Sequence, residues 1–240
     1  MKYRLLIITL ISVLVLQSAE AQKFKDFLKK AKKEVLGDEG DVGLGLKQAL
    51  EFGVEEAVNK LSGEDGYFLS PYKVLVPEEA QQVVKKLKIV PGFQNVERDL
   101  IKKMNEAAEI AAKEATPIFV SAITSMTFDD AMNILMGEKD AATRYLDNTT
   151  RPQLYDTFMP IIQSALDQVN AREYWKTCVD AYNQIPFVRK VNPALDDHVN
   201  NKALDGLFSE IEVKEGKIRG DSSERKTDLL KKVFAKQDKS

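Results

Sequence analysis

The chain has 240 residues, 44% of them hydrophobic and 30% charged, with 35 Lys and Arg against 37 Asp and Glu. A formal net charge of −2 gives no general attraction for nucleic acid. One histidine and one cysteine exclude an internal disulfide and His-Glu-x-x-His zinc chemistry, and no G-x-S-x-G elbow, Walker loop or dinucleotide fingerprint is present.

The first 21 residues read as a secretory leader. Lys2 and Arg4 form a basic start, Leu5 to Leu16 is an apolar run too short to span a bilayer, and Ala19-Glu20-Ala21 is a small-residue cleavage signal. Cleavage after Ala21 makes Gln22 the first residue of an exported, periplasmic or secreted chain. No cysteine lies near that site to carry a lipid anchor. The mature chain then holds 33 basic and 36 acidic residues, a net charge of −3.

Residues 22–41 are expected to be a basic amphipathic segment and a hinge, ahead of a single helical domain over 42–236. In Lys23 to Leu36, Phe24, Phe27, Leu28, Ala31 and Val35 form an apolar stripe opposite six lysines. Such a helix can make weak contact with an anionic membrane surface, or dock on the domain and fray as a solvated end. Gly37 to Gly45 is expected to break the chain before a helix over Leu44 to Leu61. Tyr67 to Val76 is aromatic, β-branched and bracketed by turn residues, so a small β-hairpin near 67–76 and an extended loop packed over helices are both open.

Pro77-Glu78-Glu79 starts a helix that ends before Pro91-Gly92. Phe93 to Met126 is expected as one long helix bent at Pro117. Thr127 and Asp130 form a shortened capping box, and Gly137 stops the helix it opens. Asp140 is expected to cap a short helix to Leu146, Asn148-Thr149-Thr150 to break it, and Pro152 to Val169 to form a helix kinked at Pro160. Ala171 to Ile185 is the next. Asn192-Pro193 opens a helix to about Ile218, and Asp221 with Glu224 caps the last. These start and stop signals define an all-α multi-helix bundle of roughly eight to ten helices.

Few residues offer chemistry. Cys178, beside Trp175 and Val179 on a helix, reads as a buried, inert thiol. His198 has Asp196 and Asp197 as neighbours, but at one and two residues they point to other helix faces, which favours a surface or partly packed ring. No catalytic residue, metal site or cofactor follows. The strongest polar constellation is Asp140, Thr143, Arg144 and Thr150, with Tyr145, Thr149 and Arg151 beside them. Asp140, Thr143 and Arg144 share one helical face, and Arg144 can clamp a carboxylate or phosphate. The same residues can instead form an internal network, with Arg144 on Asp140 and the threonines on backbone groups.

Five strings carry a resemblance: GLKQAL from Gly45, DGYFLSPYKVLVPEE from Asp65, MNEAAEIA from Met104, MTFDDAMNILMGEKDAATRYL from Met126, and the run from Asn201 to Phe234. Together they resemble the bacterial family called domain of unknown function 4197, in order, from about Val42 to Phe234. The resemblance implies an exported helical protein and brings no established activity. Against that family's pattern, His198 stands where an aromatic is usual, Lys214 where an acid is, and Ser222 where proline is common. The basic Lys23 to Lys33 stretch lies outside its core.

Inventory and resemblance point to an exported, non-enzymatic helical envelope protein that binds an unknown small molecule or a protein partner. The alternatives are an enzyme using carboxylates, or Arg144 and its threonines, on an anionic envelope substrate, and a peripheral membrane protein held by Lys23 to Leu36.

Overall fold

A computed structural model describes residues 38–89, 91–191 and 194–234. The expected leader, the Lys23 to Leu36 segment and Asn192-Pro193 lie outside the described residues. Among those described are nine α-helices and no strand: α1 Asp38–Leu61, α2 Glu78–Leu87, α3 Val96–Ala112, α4 Ala115–Ser125, α5 Phe128–Leu135, α6 Ala141–Gln168, α7 Ala171–Asn183, α8 Asp196–Gly220 and α9 Asp228–Phe234. A short 3-10 turn, Ser222–Glu224, precedes the last. No described helix is long and apolar enough to cross a membrane.

The helix α8 is the axis of the packing, because it lies against α1, α3 and α6. Val199, Ala203, Leu207 and Ile211 recur every four residues along it and are all buried. Each large aliphatic side chain so removed from water contributes roughly 1.5–3 kcal/mol. The α3 helix faces it with Leu100, Met104, Ala107, Ala108 and Ala111, all fully buried, and the alanines allow close approach.

Several expected breaks are absent, for identifiable reasons. The glycine-rich Gly37 to Gly45 stretch is helical from Asp38 onward rather than a hinge. Gly45 is a seat for α9: a β-carbon there would lie 2.5 Å from Val233 Cγ2. The long helix expected over Phe93 to Met126 is two helices, α3 and α4, separated at Lys113-Glu114. Pro117 therefore stands in the first turn of α4, where its missing N–H removes no intrahelical bond.

The expected break at Asn148-Thr149-Thr150 is also continuous helix, and α6 runs through both Pro152 and Pro160. Leu146, Thr150, Leu154, Phe158 and Ile162 form one unbroken buried stripe, so packing overrides the polar local signal. The hydroxyls follow the helix rather than ending it: Thr150 Oγ1 donates to the Leu146 carbonyl at 2.6 Å, and Thr149 donates to that of Tyr145. At the other end of the chain, Asp221 caps the 3-10 turn through the Ser223 amide rather than α9. Thr227 Oγ1 takes the α9 amide of Leu230 instead, at 3.2 Å.

The 67–76 segment makes no strand pair: it is a strap packed over the helices, turns over 67–72 and irregular chain over 73–76. Its backbone is bonded by side chains from two helices. Asn105 on α3 accepts from the Val74 amide at 2.8 Å and donates to the Val74 carbonyl at 2.9 Å. One turn later, Glu109 accepts from the Tyr67 and Phe68 amides. Burial pushes the Glu109 carboxyl up, while the two amides pull it down. From α8, the Ala203 carbonyl accepts the buried Tyr67 hydroxyl at 2.7 Å, and His198 Nε2 meets the Leu75 carbonyl at 2.8 Å. The histidine thus has a packing role.

Two glycines of α8 test this packing in opposite directions. At Gly206 a β-carbon would lie 2.8 Å from Tyr67 Cε1 and 2.9 Å from Tyr72 Cβ. Gly206→Ala is predicted to cost about 1–3 kcal/mol in urea unfolding by forcing the strap off α8. Nothing lies within 4 Å of a β-carbon at Gly216, so Gly216→Ala should stabilise by about 0.5–1 kcal/mol.

Candidate functional site

The Asp140 to Arg151 block sits at the junction where α5 ends and α6 begins. The α5 side follows its sequence. Thr127 accepts from the Asp130 amide, Asp130 accepts from the Thr127 amide at 2.9 Å, and the capping box is complete. The Thr127 hydroxyl and amide hold the exposed Asp130 carboxyl below the usual range.

The α6 side does not. Asp140 is at the N-cap position but makes no side-chain cap hydrogen bond. The cap comes from α8. Glu215 accepts from the Ala142 amide at 2.9 Å, and from the Thr143 amide and hydroxyl at 2.8 Å each. Arg219, one turn on, donates to Glu215 at 2.8 Å and to the α5 carbonyls of Ile134 at 2.8 Å and Leu135 at 3.2 Å. One nearly buried ion pair therefore places a carboxylate on the positive end of α6 and a guanidinium on the negative end of α5. Sequence reasoning missed both residues, since their partners lie some 70 to 85 positions away.

Thr143 is buried with its hydroxyl on Glu215, and Thr150 is buried with its hydroxyl on Leu146. Arg144 is exposed and paired with Asp140 at 3.1 Å. Arg151 pairs with Asp147, reaches Asp205 of α8 at 3.1 Å and stacks 4.9 Å over the Phe208 ring. Asp140, Thr143 and Arg144 thus share the start of α6, Thr150 lies two turns further along the helix, and of the four only Arg144 is exposed.

A narrow cleft opens between α1, α8 and α9 beside this junction, with Leu50, Ile211 and Phe234 in its walls. Ala142 is the block's contribution to its lining, and the cleft has room inside for little more than a water molecule. Arg225 closes the nearby end of α8 by donating to the Ile218 and Arg219 carbonyls, and lies 5.6 Å over the Phe234 ring.

Other titratable groups carry perturbations of their own. Cys178 is fully buried, and burial pushes its thiol up to about 11, so the thiolate is scarce at neutral pH. Glu51 on α1 is half-buried, and burial together with the Glu55 charge one turn on raises its carboxyl to about 7. Periodicity gives no signal for Glu51, because the cause is its depth in the fold. No group of three or more metal-ligating side chains occurs among the described residues.

Fold and junction together define a helical domain in which side chains of the axial helix terminate its neighbours. The chain belongs to the family described as protein of unknown function (DUF4197), which matches residues 37–235. Comparison with curated proteins and with solved structures gives no match.

The junction and the buried acid each have a direct test. Glu215→Ala strips the buried α6 amides and leaves Arg219 unpaired, at a cost of about 3–5 kcal/mol in chemical denaturation. Arg144→Ala, which loses only an exposed i,i+4 pair, should cost no more than about 1 kcal/mol. For Glu51 the folded-state pKa is the higher one. Its stabilising contribution is therefore present below about 4.5 and lost as the pH rises through about 7. Glu51→Gln should stabilise the protein by about 1 kcal/mol at pH 8, after discounting for solvent screening, and leave it unchanged at pH 4.

Proposed function

We propose that this chain is an exported, non-enzymatic envelope domain that works by surface contact with a partner rather than by enclosing a small molecule. The observation that carries this reading is the internal commitment of the junction. The hydroxyls of Thr143 and Thr150 bond within the fold, and the adjoining cleft is water-sized. Meanwhile large apolar side chains, among them Leu69, Ile89, Met136 and Phe187, stand in solvent. The leader-like first 21 residues support export.

A carboxylate-based enzyme has one supporting observation, the raised carboxyl of Glu51 beside Glu55. Two acids repel an anionic envelope substrate, so this reading is the weaker one. A thermal-shift screen of metals, envelope metabolites and peptidoglycan fragments separates the two. Surface contact predicts no small molecule that raises the melting temperature. A shift that is lost in Arg144→Ala or Glu51→Gln would overturn it in favour of an enclosed site.

A further inference from the structure

The side-by-side helices α2 and α7 end together. Lys86 lies 5.9 Å over the ring of Tyr182, and both Leu87 and Tyr182 are buried at this seam. The chain therefore leaves both helices from the same end of the molecule. Two apolar side chains project there, Ile89 at 87% exposure and Phe187 at 107%.

Phe187 is not a loose side chain. Its loop is tied at the base by Asn183, whose amide group donates to the Val191 carbonyl at 3.2 Å and accepts from the Val191 amide at 3.1 Å. Ile185 and Val188 pack against the core on either side of it. Between them Phe187 adopts φ +65°, in the left-handed region that a bulky residue occupies only against strain. The exposed ring offsets none of that strain by burial within its own chain.

The charge around the two apolar tips has one sign. Lys85, Lys86, Lys88, Arg189 and Lys190 are all exposed. No acid occurs in 81–96 or 181–195; Glu97, Asp180 and Asp196 border these stretches and pair with Lys88, Lys176 and Arg172 respectively. This local surplus stands against an overall net charge of −2. A cationic end on an acidic molecule orients it toward an anionic plane.

We infer that the Ile89–Phe187 end of the α2–α7 pair is a docking surface for an anionic phospholipid bilayer, with the two apolar side chains in the headgroup layer and Lys85, Lys86, Arg189 and Lys190 around them at the lipid phosphates. Two exposed apolar side chains ringed by cations suit shallow insertion, and two such residues are too few for a stable protein interface. This assignment rests on the surface-contact reading and names its partner. It is independent of the Lys23 to Leu36 segment.

The test is flotation of the chain without residues 1–21 on vesicles of mixed phosphatidylglycerol and phosphatidylcholine, and on phosphatidylcholine alone. Binding is expected only with the anionic lipid, and should weaken in about 0.5 M salt. The double substitution Ile89→Ser with Phe187→Gly, and separately Arg189→Glu with Lys190→Glu, should each reduce binding by at least about tenfold. Glycine accepts φ +65° without strain, so Phe187→Gly should keep or raise the melting temperature, and lost binding cannot then reflect unfolding. Equal flotation of variants and parent would assign binding to another segment and overturn the inference. Equal binding to the neutral lipid, or none to either, would overturn it too. If the ligand screen also stays silent, failure here removes the lipid assignment alone, whereas a small-molecule shift removes the surface-contact reading beneath it.

Discussion

Glu215 and Arg219 lie one turn apart on α8, and between them they complete the end of α5 and the start of α6. Helix ends in an interior are costly because their amides and carbonyls lack partners. At this junction water is largely excluded and the local cap residue, Asp140, is turned to Arg144 instead. The ion pair satisfies both ends at once. Its desolvation is offset by the backbone groups it meets and not by Coulomb attraction alone. The position of α5 and α6 relative to the axial helix depends on it.

The same device recurs elsewhere in the fold. Asn105 and Glu109, again one turn apart, hold the backbone of the 67–76 strap. Arg225 finishes α8, and Asn200 donates to the Tyr155 carbonyl of α6, five residues before Pro160. These polar residues reach backbone groups of a different element. The five strings that carry the family resemblance contain most of them, and the structure brings those strings together: the strap lies on MNEAAEIA, and the Met126 to Leu146 run lies on the Asn201 to Phe234 run. In this chain those strings carry side chain-to-backbone clamps between elements distant in sequence.

Most interior polar side chains of the described residues are committed to the fold, the buried Asn200 Oδ1 being an exception, and the cleft beside the junction is small. What remains unexplained by folding is on the surface, above all an aromatic side chain held in a strained conformation and facing solvent at a cationic end.

The all-α class, the capping box at Thr127 and Asp130, the buried Cys178, the partly packed His198 and the amphipathic faces of α3 and α8 were legible in the sequence, because each depends on residues within a turn or two of one another. The candidate block was legible as a place but not as a site, since hydroxyls at a helix junction look the same whether they await a ligand or bond a neighbouring helix. Tertiary structure alone decided that Glu215 replaces Asp140 as the cap of α6, that Thr149 and Thr150 continue a helix they would locally end, that Gly45 and Gly206 are seats for other elements, and that Ile89 and Phe187 share one end of the molecule. The physical reason is common to all four. A buried amide, a missing β-carbon or an exposed ring acquires its meaning from what packs against it. In this fold those partners come from tens to more than a hundred residues away along the chain.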